Sequence, residues 1–492
     1  MKETIYTLFK KQVLARPDRL AVMDEIRKVS FEELDKMTDA IIAEFPTESP
    51  KFVGIVMNHS VEMIAAMLAV LKTGAAYVPA EPTFPVERIR YMMQESKVDF
   101  VITHHEYSGL LGSLPQLFIE RGMKTDLPAV LLTETKATAQ AVAYVLYTSG
   151  TTGTPKGVMV DNGNVCHYVR AFENEFRVSE GDVMLQYSVC SFDIFVEEVF
   201  TTLLNGAALA IPSEETKQDM RKLMQFVADN HVTEISGFPY LLLEMNKLDS
   251  IPSCLRLLIS GGDVLRASYI THLVDKVEIY NTYGPSETTV CASYYRCNDV
   301  SPLADGTYPI GKAVLGTSIE ILDDNLQPVK EGETGEICIF GDGISQGYIA
   351  QNPESANFTC TTDSRRVYRS GDLGYRLPDG SIAFLHRKDK QVMILGKRVE
   401  CDEVENVLCA CHEVERGVVC PYTDTQGLSY LVAYIVPRTS ELSIGQLKRK
   451  LSKYLTSFMI PEYFVAMPAI PLTTNGKIDR QALPVILKEG SL

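Results

Sequence analysis

The sequence predicts an α/β protein of more than one domain, and three observations carry that expectation. The chain has 492 residues, too many for one hydrophobic core, so two or three domains are expected. Up to residue ~300, apolar runs of strand length alternate with helical patterns, which predicts a mostly parallel sheet covered by helices. Beyond that point the order changes to strand, turn, strand, the signature of antiparallel β-structure.

The elements follow in chain order. "FEELDKMTDAIIAEF" repeats its apolar residues with helical period, and "FVGIVM" reads as a short buried strand. "SVEMIAAMLAVLKTGAAYVPA" reads as a capped helix, then Gly74, then a strand. "VDFVITH", "AVAYVLYT", "GAALAIP", "RLLISGG" and "KVEIYNTYG" are further apolar strands. "TSIEILDDNLQPVKEGETGEICIFG" alternates strands with Asp/Asn and Gly turns. A small unit begins near Asp389. In it "CDEVENVLCACHEV" and "SIGQLKRKLSKYL" read as helices, and "RGVVCPY" and "SYLVAYIVP" as strands. The expected domains are therefore 1–388 and 389–492.

Composition narrows the functions. The net charge is -16, which argues against nucleic acid or an anionic membrane as a general partner, because both need a positive field. No N-terminal leader pattern and no apolar run of ~18 residues is present, so a cytoplasmic protein without a membrane span is expected. The 11 cysteines are scattered. Cys409, Cys411 and His412 lack a second ligand pair at zinc spacing, so buried reduced thiols are expected instead.

"YTSGTTGTPKG", Tyr147 to Gly157, has almost no apolar surface and follows a strand. Backbone amides of glycine-rich turns make anion-binding concavities, and hydroxyls add donors. Lys156 adds a positive charge. Pro155 stands where a Walker A loop needs glycine. The loop therefore points to phosphate, by a different motif.

With "LKTGAAYVPAEPTFPVERI", "FDIFVEEVF", "YNTYGPSETT", "GEICIFGDGISQGYI", "YRSGDLGYRLPDGSIAFLHRKD" and "NGKIDR" in order, the sequence resembles the adenylate-forming superfamily. Within it, the chain is most similar to amino-acid adenylation domains of nonribosomal peptide synthetases. The resemblance implies a large N-terminal region of two αβ subdomains plus a distorted β-barrel, followed by a small mobile α+β domain after a hinge at Asp389. It implies ATP and Mg²⁺, a carboxylate attacking the α-phosphate, and transfer of the acyl group to a carrier-protein thiol.

The resemblance also assigns residues. Thr148, Ser149, Gly150, Thr151, Thr152, Gly153 and Lys156 would hold phosphates. Tyr283, beside Gly284, would stack on adenine. Glu287 and Thr152 would hold Mg²⁺, Asp372 the ribose hydroxyls, and Arg387 the ribose or phosphate. Lys477 would bridge the substrate carboxylate and ATP oxygens. Asp193 can be read locally as a helix N-cap; the resemblance pairs it with a substrate α-ammonium. The remaining carried-over substrate wall is Ile194, Glu197, Ser236, Ile259, Gly261, Thr282, Val290 and Cys291.

Glu197 lies one helical turn from Asp193, on the same face. A lone buried carboxylate is costly unless paired, and Gly261 leaves depth, so a cationic diamino acid (lysine, ornithine or shorter) is expected. The alternative is a small neutral or polar amino acid. An acyl-CoA synthetase, a D-alanine–carrier protein ligase and a degenerate nucleotide-binding regulator are the other readings. Three residues depart from the family pattern: Asp161 for a common histidine, His386 for a usual glycine, and Leu395 for a frequent arginine. Since 15 residues follow Lys477, the expectation is a free-standing, monomeric enzyme served by a carrier protein in trans.

Overall fold

The computed structural model describes residues 3–47, 49–122, 135–150, 154–350, 356–389, 391–438, 442–472 and 478–486. The chain is α/β and forms two compact units. The first is Met1–Pro82, Met93–Tyr147 and Gly157–Lys388; the second is Thr83–Met92, Thr148–Lys156 and Asp389–Leu492.

A seven-stranded sheet runs in the order Gly347–Tyr348, Lys156–Asp161, Val142–Thr148, Ala76–Pro79, Phe52–Val56, Phe100–Thr103, Gln116–Phe118. Its inner strands are short, continuous apolar runs, as parallel strands covered on both faces require. The helix Val61–Thr73 is buried along its whole length, which its all-round apolar sequence dictates.

A nine-stranded sheet has the order Lys312–Ala313, Ser293–Arg296, Glu278–Tyr283, Leu257–Ser260, Glu234–Gly237, Val183–Leu185, Ala208–Ile211, Leu20–Asp24, Lys28–Ser30. Its centre is parallel; Lys28–Ser30 at one edge and Ser293–Arg296 and Lys312–Ala313 at the other are antiparallel. The N-terminal hairpin thus joins a sheet built mainly from later residues. A five-stranded antiparallel sheet around Thr317–Leu322, Gly335–Gly341 and Arg366–Arg376 supplies the barrel-like part. Among the described residues no helix is long and apolar enough to cross a membrane.

In the second unit, Val414–Thr423 and Ser429–Pro437 pair antiparallel, and Tyr463–Ala466 adds in parallel. The helices Cys401–Cys409 and Ile444–Leu451 cover one apolar cluster of this sheet. Leu395 has φ 51° beside Gly396 at φ 76°; they turn the hairpin of Gln391–Ile394 and Lys397–Glu400. The expectation that the cysteines are buried needs correction: Cys360 and Cys409 are exposed, because each lies on an outward position of its strand or helix. His59, Glu81 and Cys190 form the ligand-type cluster found among the described residues.

Candidate active site

Parallel sheets present ligand sites at the carboxyl ends of their strands, and the nine-stranded sheet does so here. Ser236, Ile259 and Tyr280 are register partners on adjacent strands. Side chains alternate with period 2, so Gly261 and Thr282, two positions on, fall on the same face. A Cβ on Gly261 would come 2.7 Å from Thr282 Oγ1. Thr282 thus lies directly against Gly261, and a larger residue there would collide with it.

Asp193 begins the helix that faces these strand ends. The expected N-cap role is corrected: Phe192 is the cap residue, without a side-chain bond, and Asp193 is the first helical residue. From Glu197 to Thr201 the helix widens into a π-turn, a distortion often found at functional sites. Gly206, at φ 82°, provides the left-handed stop that Asn205-Gly206 predicts.

Glu198 and Glu197 have different tasks. Glu198 accepts from the Tyr187 and Ser188 amides at 3.1 and 2.9 Å and from Gln186 Nε2 at 2.9 Å, tying the helix to the preceding loop. Gln186 in turn meets His59 Nδ1 at 2.7 Å, and His59 Nε2 meets Glu81 at 2.8 Å. Burial pushes the Glu81 carboxyl up, but His59 and the Cys190 amide outweigh it and bring it to about 2. Glu81 comes from the "VPAEP" motif, which thus braces the helix from beneath.

Glu197 is almost fully buried. It differs from the lone carboxylate that was expected. Ser236 Oγ donates to Oε1 at 2.5 Å and Tyr168 Oη donates to Oε2. No ion pair to Glu197 exists among the described residues. Burial raises its carboxyl to about 7; Ser236 and Tyr168 pull it back, and Glu198 and Asp193 add repulsion.

A pH dependence follows by linkage. The folded value, about 7, lies above the ordinary glutamate value of 4.5, so the folded state binds more protons between them. That stability is complete below about 4 and is lost as pH rises through about 7. Glu197→Gln is expected to gain on the parent protein between pH 5 and pH 8, by on the order of 3 kcal/mol. Urea melts at the two pH values measure this; an equal difference at both would refute it.

Asp193 Oδ2 is shut from solvent with no hydrogen-bond partner in the structure. Burial raises this carboxyl to about 6; Ser286 pulls it down and Glu287 pushes it further up. Asp193 and Glu197 repel each other, and among the described residues neither forms an ion pair. Glu287 is fully buried and accepts from Tyr348 Oη at 2.8 Å. Thr289 and Val290 follow at φ 61° and 67°, a strained conformation for β-branched residues. Thr289 Oγ1, bonded to Gly343 O at 2.7 Å, helps hold it. This bend brings Val290 O so close to Gly284 that a Cβ there would lie 2.3 Å away, and it sets Val290 and Cys291 among the buried site residues. Ile194 is buried beside Asp193.

On the nucleotide side, Asp372 and Arg387 are cross-strand partners. Arg387 Nη1 donates to Asp372 Oδ1 at 2.7 Å, and Tyr283 Oη donates to Oδ2 at 2.5 Å. The tyrosine, aspartate and arginine expected to bind adenosine are thus one connected cluster. The site's unpartnered carboxylate oxygen and buried Glu287 suit a cation, and this cluster suits a hydroxyl-bearing sugar with an aromatic base. The residues present fit ATP and Mg²⁺.

The glycine-rich loop groups with the second unit. Thr148 Oγ1 is buried with no hydrogen-bond partner in the structure, and Lys156 is buried. Ser149 Oγ donates to Arg398 O at 3.1 Å. The Gly150 amide donates to Glu403 Oε2 at 3.3 Å, and Arg88 Nη1 holds the other Glu403 oxygen at 2.8 Å. The Gly150 amide is thus engaged by a carboxylate of its own unit. Thr151, Thr152, Gly153 and Lys477 lie outside the described residues. Asp389 accepts from the Gln391 amide at 3.1 Å.

Sequence reasoning missed Tyr168 and Tyr348. Each sits in an apolar pattern that reads as core, and only the fold reveals that its hydroxyl meets a carboxylate. Asp161 is explained locally: it accepts from the Asn164 amide at 2.8 Å and caps the helix Asn162–Phe176, which carries Tyr168.

Comparison with known proteins adds the following. The AMP-binding enzyme family matches residues 9–349, and the AMP-binding enzyme C-terminal domain matches residues 403–477. Bacitracin synthase 2 of Bacillus licheniformis is 34% identical over 490 residues, covering 98% of this chain and 18% of that protein. Tyrocidine synthase 1 of Brevibacillus parabrevis is 35% identical over 491 residues, covering 98% and 45%. The chain spans less than half the length of these relatives. The solved structure of NpsA-ThdA, an artificially fused adenylation–PCP di-domain from Klebsiella oxytoca, matches with a TM-score of 0.82 at 23% identity, covering 94% of this chain and 93% of that one. At that identity the likeness speaks for the fold.

Proposed function

Because the chain belongs to the AMP-binding enzyme family, as an AMP-forming ligase that uses ATP and Mg²⁺, we propose that it activates an α-amino acid as the aminoacyl adenylate and passes the acyl group to the phosphopantetheine thiol of a separate carrier protein. A substrate carboxylate oxygen attacks the α-phosphorus, the bond to the bridging oxygen breaks, and pyrophosphate leaves. The thiol then displaces AMP. Catalysis of this kind is largely positioning and charge stabilisation.

The observation that carries the reading is the unpartnered, solvent-shielded Asp193 Oδ2. A buried carboxylate oxygen without a donor is costly, and the α-ammonium of an amino acid supplies three donors and a charge. Tyr283, Asp372 and Arg387 take the adenosine. Thr148, Ser149, Gly150, Thr151, Thr152, Gly153 and Lys156 take phosphate oxygens. Glu287 and Thr152 would hold Mg²⁺, which neutralises phosphate charge when bound. Lys477, carried on the C-terminal domain beyond the Asp389 hinge, supplies the cation for the reacting carboxylate. The carrier partner is supported by the fused adenylation–PCP neighbour and by the peptide-synthase relatives.

For the side chain, Glu197, with no cationic partner among the described residues, supports a diamino acid, and Thr282 lying against Gly261 favours a short one. A second reading is favoured by the two hydroxyls that already engage Glu197: a small neutral or polar amino acid. ATP–pyrophosphate exchange with the protein amino acids, ornithine, 2,4-diaminobutyrate, 2,3-diaminopropionate, D-alanine and fatty acids tests the proposal. Exchange with an α-amino acid and none with fatty acids is expected. Exchange with fatty acids alone would replace the reading by an acyl-CoA synthetase, and none at all would end it.

A further inference from the structure

Tyr168 lies on the helix Asn162–Phe176, which packs against the segment Glu197–Thr201. Its ring is nearly free of solvent contact and its hydroxyl donates to Glu197 Oε2. Ser236 takes Oε1 from the sheet side. Glu197 is thus held between a strand and a helix that are remote from each other in sequence. The same apolar cluster contains Tyr294, Cys291 and Ile259. Tyr294 Oη is buried with no hydrogen-bond partner in the structure, although a buried tyrosine hydroxyl usually finds one.

We propose that Tyr168 is a specificity-determining residue: it fixes the Glu197 carboxyl and fills the volume beyond it, so that the site accepts amino acids with a short side chain ending in a hydrogen-bond donor. The proposal rests on the adenylation reading and deepens it. Three pieces of geometry support the length limit. The Tyr168 side chain, nearly free of solvent contact, stands against the Oε2 side of Glu197 through its hydroxyl bond. Thr282 Oγ1 occupies the space beside Gly261. Glu197 is one turn from Asp193, so a substrate anchored by its α-ammonium at Asp193 reaches Glu197 with few atoms. The preference for a donor follows from the acceptor capacity that Glu197 retains after two bonds, and from the cost of leaving it unfilled. A hydroxyl or a short ammonium serves; an aliphatic end does not.

The test measures kcat/KM by pyrophosphate exchange for serine, threonine, 2,3-diaminopropionate, 2,4-diaminobutyrate, alanine, valine, ornithine and lysine, with the wild type, Tyr168→Phe and Tyr168→Ala. Tyr168→Phe keeps the ring and is expected to lower the ratio for donor-ended over aliphatic substrates of equal length by about 10-fold. It also moves the pH profile of KM upward, because one donor to the carboxyl is gone. Tyr168→Ala is expected to move the preference about 10-fold toward longer side chains. An unchanged order of preference and pH profile in Tyr168→Phe overturns the inference, whether or not Tyr168→Ala folds. A wild type that prefers lysine or a long aliphatic side chain also overturns it, while leaving adenylation standing. A wild type that exchanges with no amino acid overturns adenylation, and this inference with it.

Discussion

Asp193→Ala is expected to lower kcat/KM for the amino acid by about 10²–10³-fold, most of it in KM, with KM for ATP changing far less. The reason lies in what surrounds the carboxylate. Oδ2 is shielded from water and has no donor in the structure, and Glu287 repels it. A substrate ammonium therefore gains the full attraction of a desolvated charge pair, where an exposed aspartate would offer little. Asparagine in its place keeps the shape and loses the charge, so Asp193→Asn is expected to be nearly as impaired. The carboxyl titrates at about 6, and only its ionised form attracts the ammonium. KM for the amino acid is then expected to rise as pH falls through about 6, and that rise is absent in Asp193→Asn. Steady-state exchange kinetics between pH 5 and pH 8 measure both effects. A loss smaller than about threefold in Asp193→Ala would show that the α-ammonium is bound elsewhere.

Much of this site was legible before the fold because its chemistry sits in short, ordered motifs. The helix from Asp193 to Gly206, the strands ending at Ser260 and Tyr283, and the turn beginning at Asn205 are local patterns, and local patterns survive folding. The N-terminal hairpin shows what does not. Leu20–Asp24 pairs with Ala208–Ile211, and nothing in either run of apolar residues names the other as its neighbour. Partner choice among similar buried strands is decided by long-range packing. The same limit hid the Tyr168–Glu197 bond, since a tyrosine in a half-buried helix reads as core. It also hid the contact at Gly261, where a residue of the next strand, Thr282, lies close enough to collide with any Cβ. Asp193 shows a finer limit. A helix-start aspartate can be read locally as a cap, yet here Phe192 holds the cap position and Asp193 is the first helical residue, a one-residue shift of the helix start that the sequence pattern does not decide.

Lys477→Ala is expected to lower amino-acid-dependent hydroxamate formation by about 10³-fold while leaving acyl transfer from a supplied aminoacyl adenylate within about twofold of the wild type. Charge balance sets the expectation. Among the residues assigned to the first half-reaction, Asp193, Glu197, Glu287 and Asp372 are acidic. Arg387 is the cation paired with Asp372. Into this surplus the reaction brings a carboxylate and a polyphosphate, and it drives one anion onto the other. In the proposed site Mg²⁺ and Lys156 would answer the phosphate charge, and the attacking carboxylate would be left to Lys477. An ammonium placed there stabilises charge in the transition state and orients the nucleophile, and each effect alone is worth orders of magnitude in rate. The second half-reaction starts from an acyl phosphate anhydride, whose acyl carbonyl is uncharged, and a thiol, so it has no attacking carboxylate to hold. The contrast between the two half-reactions is therefore the decisive measurement. Equal losses in both would mean that Lys477→Ala acts through folding, and no loss in either would assign the bridging charge to another residue.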